Sequence, residues 1–320
     1  MSADGGLPGA KDAQPDLSTF YNTDRPVSEL RKELEDRAGG RPLQPGTEFK
    51  KVSCHGVPCE WITTPPAVNV IPASGNNVYF HVHGGGYYRG STRVAAPLCS
   101  NILAASGIRR CLSVNYRTAP EHPYPAALDD TYSAYTWLTS EGGVSPADIV
   151  CGGDSAGGGL IMGLLLKLRD HTPHLLPSGA IPFSPWTDMT QSGQSFVTNA
   201  DTDVPNCSKD YLDFWGGKYL GGADPLTDPY VSPNHCDLAG LCPLFVQVGG
   251  GETMLDMAAD LVHKAARARV EVSLEVFDME GHVFQNDWSR PNARIAVAHC
   301  ADFARRMLAR QGPMPSQPKL

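Results

Sequence analysis

Gly153-Asp154-Ser155-Ala156-Gly157 is a Gly-x-Ser-x-Gly pentapeptide, and the residues on either side of it indicate the fold. An apolar run at 149–152 precedes it, and a longer apolar run at 159–166 follows it with the character of a helix. A strand that turns sharply into a helix holds the residue at the turn in a strained conformation with an exposed side chain. Flanking glycines suit such a turn, because a Cβ on either side would clash. The stretch therefore predicts a strand–turn–helix unit with Ser155 at its apex.

From Thr47 onward, strand-like apolar runs alternate with helical patterns. The predicted strands are Glu48–Cys54, Cys59–Thr64, Asn77–Val82, Arg110–Asn115, Ile149–Gly152, Ala180–Phe183, Pro243–Gly249 and Val272–Asp278. The predicted helices are Val27–Ala38, Arg93–Ser106, Ala126–Thr139, Ala156–Arg169, Ser208–Tyr219, Met254–Arg269 and Arg294–Arg310. This alternation predicts an α/β fold with a mostly parallel eight-stranded sheet and helices on both faces. Only Gly56-Val57-Pro58 separates the first two strands, which predicts an antiparallel start.

The pattern divides the chain into a polar N-terminal segment (1–48), a main domain (49–310) and a C-terminal tail (311–320). Inside the main domain, the stretch 186–236 departs from the strand–helix rhythm and is rich in Asp, Pro and aromatic residues. A loop-rich excursion of that length usually covers a site rather than extending a sheet.

Bulk composition limits the function. With 320 residues, 41% of them hydrophobic and 19% charged, the chain is globular and long enough for one large domain. A net charge of −8 without a Lys/Arg cluster argues against nucleic-acid binding. No stretch approaches the roughly 18 apolar residues of a membrane span. The nine scattered cysteines indicate reduced thiols and no zinc site.

These features, together with the lack of a signal-peptide pattern at the N-terminus, predict a cytoplasmic protein. The tripeptide Pro318-Lys319-Leu320 differs at one position from the Ser-Lys-Leu address, which leaves the peroxisome as the alternative.

Two residues that follow later strands are candidate partners for Ser155. A serine hydroxyl needs a base within hydrogen-bond reach, and that base needs an orienting carboxylate. Glu252 and His282 follow the two last predicted strands, and the order Ser, Glu, His is one in which such triads occur. Separately, each could be an ordinary loop or helix-start residue. Their joint placement predicts that all three meet at the carboxyl edge of the sheet.

His83-Gly84-Gly85-Gly86 directly follows the third predicted strand. Consecutive glycines let backbone N–H groups approach a substrate oxygen, so Gly84 and Gly85, with Ala156, are the predicted oxyanion hole. A metal site at His81 and His83 is one alternative, but no third ligand is evident. A phosphate loop is another, but it would require a following Lys and Ser/Thr, where Tyr87-Tyr88 stand instead.

Taken together, the motifs resemble the hormone-sensitive-lipase-like family of α/β-hydrolases, which includes carboxylesterases and arylacetamide deacetylases. The matching motifs appear in family order: His83-Gly84-Gly85-Gly86, Tyr116–Ala126, Gly153–Gly158, Ser184–Asp188 and Gly281–Phe284. The resemblance implies the α/β-hydrolase fold, a small mostly helical cap built from the N-terminal segment and the 186–236 insertion, and no cofactor. It leaves a homodimer as one alternative for the oligomeric state.

The resemblance also implies a serine carboxylesterase that acts on small to medium esters through an acyl-enzyme. Many members of the family carry Asp-Pro where Glu252-Thr253 stand, and a variant with Glu followed four residues later by Asp also occurs. Asp256 fits that second position, so it is the alternative to Glu252 as the acid. Arg117 and Glu121 look structural and suggest an internal ion pair. Apolar residues expected to wall the substrate pocket are Tyr87, Tyr88, Trp186, Phe214, Trp215, Val283 and Phe284. Open alternatives are a tailoring hydrolase of a lactone, amide or acetyl ester, and a non-catalytic receptor on the same fold.

Overall fold

The computed structural model describes residues 25–66, 76–204 and 207–310. The described residues form one eight-stranded sheet in the order β1-β2-β4-β3-β5-β6-β7-β8. Its strands are β1 (Glu48–Cys54), β2 (Val57–Thr63), β3 (Val78–Val82), β4 (Arg110–Val114), β5 (Ile149–Asp154), β6 (Gly179–Phe183), β7 (Leu244–Gly249) and β8 (Val272–Phe277). β2 pairs antiparallel with β1 and with β4, and every other pairing is parallel. The predicted α/β class and the antiparallel start are confirmed.

Helices cover both faces of the sheet. They are α1 (Val27–Gly39), α2 (Thr92–Ser106), α3 (Ala126–Thr139), α4 (Ala156–His171), α5 (Ser195–Thr198), α6 (Lys209–Leu220), α7 (Leu255–Arg267) and α8 (Pro291–Leu308). Residues of α3, α4 and α7 form one buried apolar cluster, and residues of α2 and α8 form another. β3 contributes side chains to both clusters, because alternate strand residues point to opposite faces of the sheet. Phe80 packs in the first cluster and Tyr79 in the second.

The first hairpin is tighter than predicted. β2 begins at Val57, so only His55 and Gly56 connect it to β1. Both have positive φ, 49° and 88°, as a two-residue turn that matches the twist of a hairpin requires. Pro58 lies inside β2, where its carbonyl accepts the Asn115 N–H at 3.0 Å.

Most other boundaries fall within two residues of the predicted ones. The largest difference is at α8, which begins at Pro291 rather than at Arg294. Proline fits the first helical position, where its missing N–H has no partner to lose. The predicted tail and the first half of the N-terminal segment, 1–24, lie outside the described residues, as does Pro318-Lys319-Leu320. Within the described ranges, no helix is long and apolar enough to span a membrane.

Candidate active site

Ser155 lies between β5 and α4 with φ 54° and ψ −120°. This conformation is strained for a residue with a Cβ and persists only where the surroundings hold it. Its N–H donates to the Phe183 carbonyl at 2.9 Å, and its carbonyl accepts the Trp186 N–H at 3.0 Å. The serine is therefore fixed at the carboxyl edge of the sheet, at the N-terminus of α4.

The two glycines of the pentapeptide are required because a side chain at either position would clash with the backbone. A Cβ on Gly153 would lie 2.4 Å from the Gly157 carbonyl oxygen, and one on Gly157 would lie 2.1 Å from the Val82 carbonyl oxygen. The obstructing atoms are backbone, so they cannot rotate away as a side chain would. The turn therefore brings β3, β5 and α4 closer together than any side chain at these two positions allows.

Replacing Gly157 by alanine is expected to lower the free energy of unfolding by about 3 kcal/mol or more, because overpacking against backbone forces the surrounding chain to move. Gly217→Ala is the matched control, since its Cβ would meet no atom within 4 Å on an exposed turn of α6. It should be neutral or stabilising by roughly 0.5–1 kcal/mol. Urea denaturation followed by circular dichroism measures both. Equal stability of the two variants would contradict the packing argument.

The imidazole of His282 and the carboxylate of Glu252 form a hydrogen-bonded pair. His282 Nδ1 lies 3.0 Å from Glu252 Oε2, and the glutamate is fully buried at the end of β7. The other carboxylate oxygen, Oε1, accepts the Ser184 hydroxyl and the Gly249 N–H, both at 2.6 Å. Asp256, the alternative acid, instead accepts the Ser195 N–H at 2.9 Å. The structure thus places Glu252, and not Asp256, against the histidine.

Ser155 and His282 line the same cavity, which has a volume of about 180 Å³. β5 brings the serine to this cavity, and the loop after β8 brings the histidine. Residues of α1 and α6 also line it, including Leu34 and Trp215. Ser155 and His282, which are far apart in sequence, therefore border one cavity, and Glu252 is buried behind the histidine.

Burial and contacts have opposite effects on the pKa of His282. Burial disfavours the protonated ring, but the ring's contacts, among them the hydrogen bond to the Glu252 carboxylate, outweigh it and raise the pKa of His282 well above its ordinary value. Burial also raises the pKa of the Cys207 thiol, to about 11. The thiol is therefore protonated at neutral pH and is a poor nucleophile.

In the glycine loop after β3, the structure differs from the predicted oxyanion hole at one position, Gly84. The Gly84 N–H donates to Asp154 Oδ1 at 3.1 Å, so it is not directed at a substrate oxygen. Within the described ranges, the N–H groups of Gly85 and Gly86 donate to no protein acceptor. The Ala156 N–H opens α4, where the first N–H groups have no partner within the helix. Free donors beside the serine are thus Gly85, Gly86 and Ala156.

In the part of the chain that the structure describes, His81 and His83 contact protein groups around this loop. His81 Nε2 lies 3.3 Å from Asp154 Oδ1. His83 Nδ1 donates to the Gly84 carbonyl at 2.8 Å, and its ring stacks on Tyr116 with centroids 4.2 Å apart. Burial lowers the pKa of His83 to about 4, so this ring is neutral. Both histidines therefore act as supports for the glycine loop.

Four of the seven predicted pocket residues line the cavity: Tyr88, Trp186, Trp215 and Val283. The other three do not, which corrects the prediction. Tyr87 stacks on Tyr219 with centroids 3.8 Å apart, Phe214 packs edge-on against Trp215, and Phe284 packs against Phe277. These three rings are part of the protein's own packing, which sequence position alone does not distinguish from a pocket wall.

The predicted ion pair between Arg117 and Glu121 is wrong. Arg117 instead donates to both oxygens of Asp130, which lies 13 residues later in the chain, at 2.8 to 3.1 Å. Glu121 accepts two bonds from Arg31 of α1, at 2.9 and 2.6 Å. Arg31 also donates to the Tyr88 carbonyl at 2.8 Å. The second pair therefore fixes α1 against the segment beside the glycine loop.

Two residues that support the site carried no assigned role in the sequence. Ser184 donates to Glu252 and accepts the Val283 N–H at 3.3 Å, so it links the carboxylate to the histidine loop. Ser184 belongs to the Ser184–Asp188 motif, and this motif was the only sequence signal for its role. Asp203 accepts the His282 N–H at 3.1 Å and the Thr253 N–H at 2.8 Å. No local pattern marks this residue, since its partners Thr253 and His282 lie 50 and 79 residues later in the chain.

The chain is similar to known proteins along most of its length. Residues 79–286 match a family described by the alpha/beta hydrolase fold. An esterase of Acinetobacter venetianus is 35% identical over 277 residues, 86% of this chain and 88% of the relative. An acetyl-hydrolase of Streptomyces hygroscopicus is 38% identical over 229 residues, which cover 70% of this chain and 74% of that relative.

A solved structure gives the same answer. The crystal structure of an esterase from the bacterial hormone-sensitive lipase family superposes with a TM-score of 0.83 and 38% identity, covering 91% of this chain and 95% of that one. The fold, the strand–turn–helix unit at Ser155 and the assembled Glu252–His282 pair lead to one conclusion. The chain belongs to the hormone-sensitive-lipase-like family of α/β-hydrolases.

Proposed function

We propose that this chain is a serine carboxylesterase that hydrolyses small to medium carboxylic esters through an acyl-enzyme intermediate. The observation that carries the proposal is the placement of Ser155 and the Glu252-bonded His282 in one cavity. The names of the relatives, which are esterases and an acetyl-hydrolase, point to the same class of substrate.

In the first step, Ser155 Oγ attacks the ester carbonyl while His282 takes its proton. The C–O bond to the alcohol breaks as His282 returns that proton to the leaving oxygen. Water then attacks the acyl-enzyme with His282 again as base, which releases the acid and regenerates the serine. Glu252 holds the proton on Nδ1, so that Nε2 is free to accept.

The negative oxygen of each tetrahedral intermediate needs donors. We assign Gly85, Gly86 and Ala156 to this role, with Gly86 in place of the predicted Gly84. Each donor should contribute roughly 3 kcal/mol of transition-state stabilisation. Backbone donors cost no reorganisation, because the loop and the helix hold them in place before the substrate binds.

We also propose that α1 and the 186–236 insertion act as the cap. Their supporting contacts are apolar: Leu30 of α1 packs with Tyr88, Tyr211 and Trp215. A covered cavity of about 180 Å³ favours short acyl groups over long triglycerides. A homodimer and a cytoplasmic location stay predictions, which sedimentation and microscopy of a tagged chain would check.

Two measurements test the function. Incubation with a fluorophosphonate should add one phosphonyl group to the intact protein, at Ser155, whereas a receptor on this fold would stay unlabelled. A panel of nitrophenyl esters from acetyl to decanoyl, beside lactones and anilides, should show the highest kcat/KM for the short esters. Preference for a lactone or an anilide would instead support the tailoring-hydrolase alternative.

The raised pKa of His282 predicts the acid limb of the pH profile. The base must be neutral to accept the Ser155 proton, so protonation removes activity as the pH falls. Because the pKa is raised, kcat/KM should begin to fall at a pH above the ordinary histidine value of about 6.5. Initial rates with a nitrophenyl ester, followed at the isosbestic wavelength of nitrophenol, measure this limb. A half-point well below 6.5 would contradict the assignment.

A further inference from the structure

The cavity beside Ser155 has two unlike sides. One is aromatic, with Tyr88 stacked on Trp215 at 3.7 Å between centroids. The other is basic, because Arg37, Arg41 and Arg89 all line the same space. Three guanidinium groups are not needed for attack by a serine on a neutral ester, so the mechanism above leaves them without a role.

Two of these arginines form no ion pair in the part of the chain that the structure describes, although the charges of Asp154 and Asp287 attract Arg41 without direct contact. Neither Arg41 nor Arg89 forms an ion pair or a side-chain hydrogen bond there, and Arg89 Nε is buried without an acceptor. The Arg89 guanidinium instead lies 5.1 Å from the centroid of the Tyr88 ring. Arg37 differs, because it donates to Glu33 at 2.8 Å.

The carboxylate next to the serine in sequence, Asp154, forms no ion pair with these arginines. Asp154 already accepts the Gly84 N–H, and its other close contact is His81. Burial lowers the pKa of Arg41 even though the charge of Asp154 acts in the opposite direction. The group nevertheless stays protonated at neutral pH. A partly buried guanidinium without a partner is costly, and a bound anion would relieve that cost.

We propose that the physiological substrate of this site is an ester that carries a second, anionic group, a carboxylate or a phosphate, which Arg41 and Arg89 bind. The proposal rests on the proposed esterase function and narrows its substrate class. The aromatic side would take the apolar part of the molecule, and the planar guanidinium forks would take the anion. The two arginines would therefore determine specificity without taking part in the bond-breaking step.

The test compares esters that differ only in the anion. One pair is 3-acetoxybenzoate against phenyl acetate, and a second is 3-acetoxyphenyl phosphate against phenyl acetate. A third places the carboxylate on the acyl half, as the monophenyl ester of adipic acid against phenyl hexanoate. The quantity measured is the ratio of kcat/KM for the anionic ester to that for its neutral partner. Comparing this ratio between variants cancels the intrinsic reactivity of each ester.

Arg41→Gln and Arg89→Gln should each lower this ratio by roughly tenfold to a hundredfold for at least one of the three pairs, as loss of a charge-assisted hydrogen bond implies. Arg109→Gln is the matched control, an exposed arginine before β4, at the opposite edge of the sheet from Ser155. It should leave the ratio unchanged. The pair that responds identifies whether the anion is a carboxylate or a phosphate and which half of the ester bears it.

A second measurement needs no variant. 3-Hydroxybenzoate should inhibit the wild-type chain competitively at a lower concentration than phenol, and added NaCl should weaken this inhibition. Unchanged ratios in both arginine variants for all three pairs would overturn the anionic-substrate proposal. Inhibition by phenol equal to that by 3-hydroxybenzoate would also overturn it where the 3-acetoxybenzoate pair is the one that responds. Neither result bears on the proposed esterase function. That function would be contradicted only if neutral esters were also not hydrolysed or if Ser155 were not labelled.

Discussion

Ser155→Ala is expected to lower kcat for a nitrophenyl butyrate ester by roughly 10⁴ or more. The variant removes the only atom that forms the acyl bond in the proposed mechanism. It keeps the Cβ, so the strained backbone at φ 54° is as costly in the variant as in the native chain. The oxyanion donors and the cavity also remain. The loss should therefore appear in kcat, with little change in the free energy of unfolding.

The measurement is the initial rate at saturating ester, corrected for spontaneous hydrolysis. Ser53→Ala on β1 is the matched control, an exposed serine that should keep wild-type activity. If Ser155→Ala retained more than a few per cent of kcat, the nucleophile would have to be another residue.

Glu252→Gln should lower kcat/KM by roughly 10³ to 10⁴. Two donors, the Ser184 hydroxyl and the Gly249 N–H, meet Oε1 of Glu252, so the amide oxygen of the variant must take that position. The amide NH₂ then faces His282 Nδ1 and donates to it. This bond stabilises the tautomer with its proton on Nε2, which is unable to accept the proton of Ser155. The variant also loses the charge that raises the pKa of His282, so the acid limb should move to lower pH.

Asp256→Asn is the control for this experiment, since Asp256 contacts the Ser195 backbone and not the histidine. It should cost less than about tenfold in kcat/KM, as expected for a residue outside a catalytic unit. A larger loss in Asp256→Asn than in Glu252→Gln would show that the wrong carboxylate has been assigned.

Local sequence was a sufficient guide to the secondary structure and to the order of the candidate triad. The strands that precede Ser155 and Glu252 are mostly apolar and are buried along their whole length, as expected for strands covered on both faces. Ser155, Glu252 and His282 each directly follow a strand or the turn after one. Because parallel strands end at the same edge, their separation of many residues along the chain still implies proximity in space.

Hydrogen-bond partners that come from different structural elements were not predictable in this way. Gly84 loses its predicted role because Asp154, 70 residues later, ends the neighbouring strand and accepts its N–H. Arg117 and Glu121 are four residues apart, yet their partners are Asp130 and Arg31. A hydrogen bond depends on the exact direction of two groups, and that direction follows from packing rather than from spacing.

Strand periodicity, the glycines of the serine turn and the order of the triad residues are local or topological properties, which the amino-acid sequence alone determined. Tertiary structure alone decided which aromatic rings face the cavity and which pack inside the fold. It also brought Arg41 and Arg89, which belong to separate segments, beside Ser155. The physical reason is that a residue's chemistry is local, whereas its exposure and its partners depend on every element packed around it.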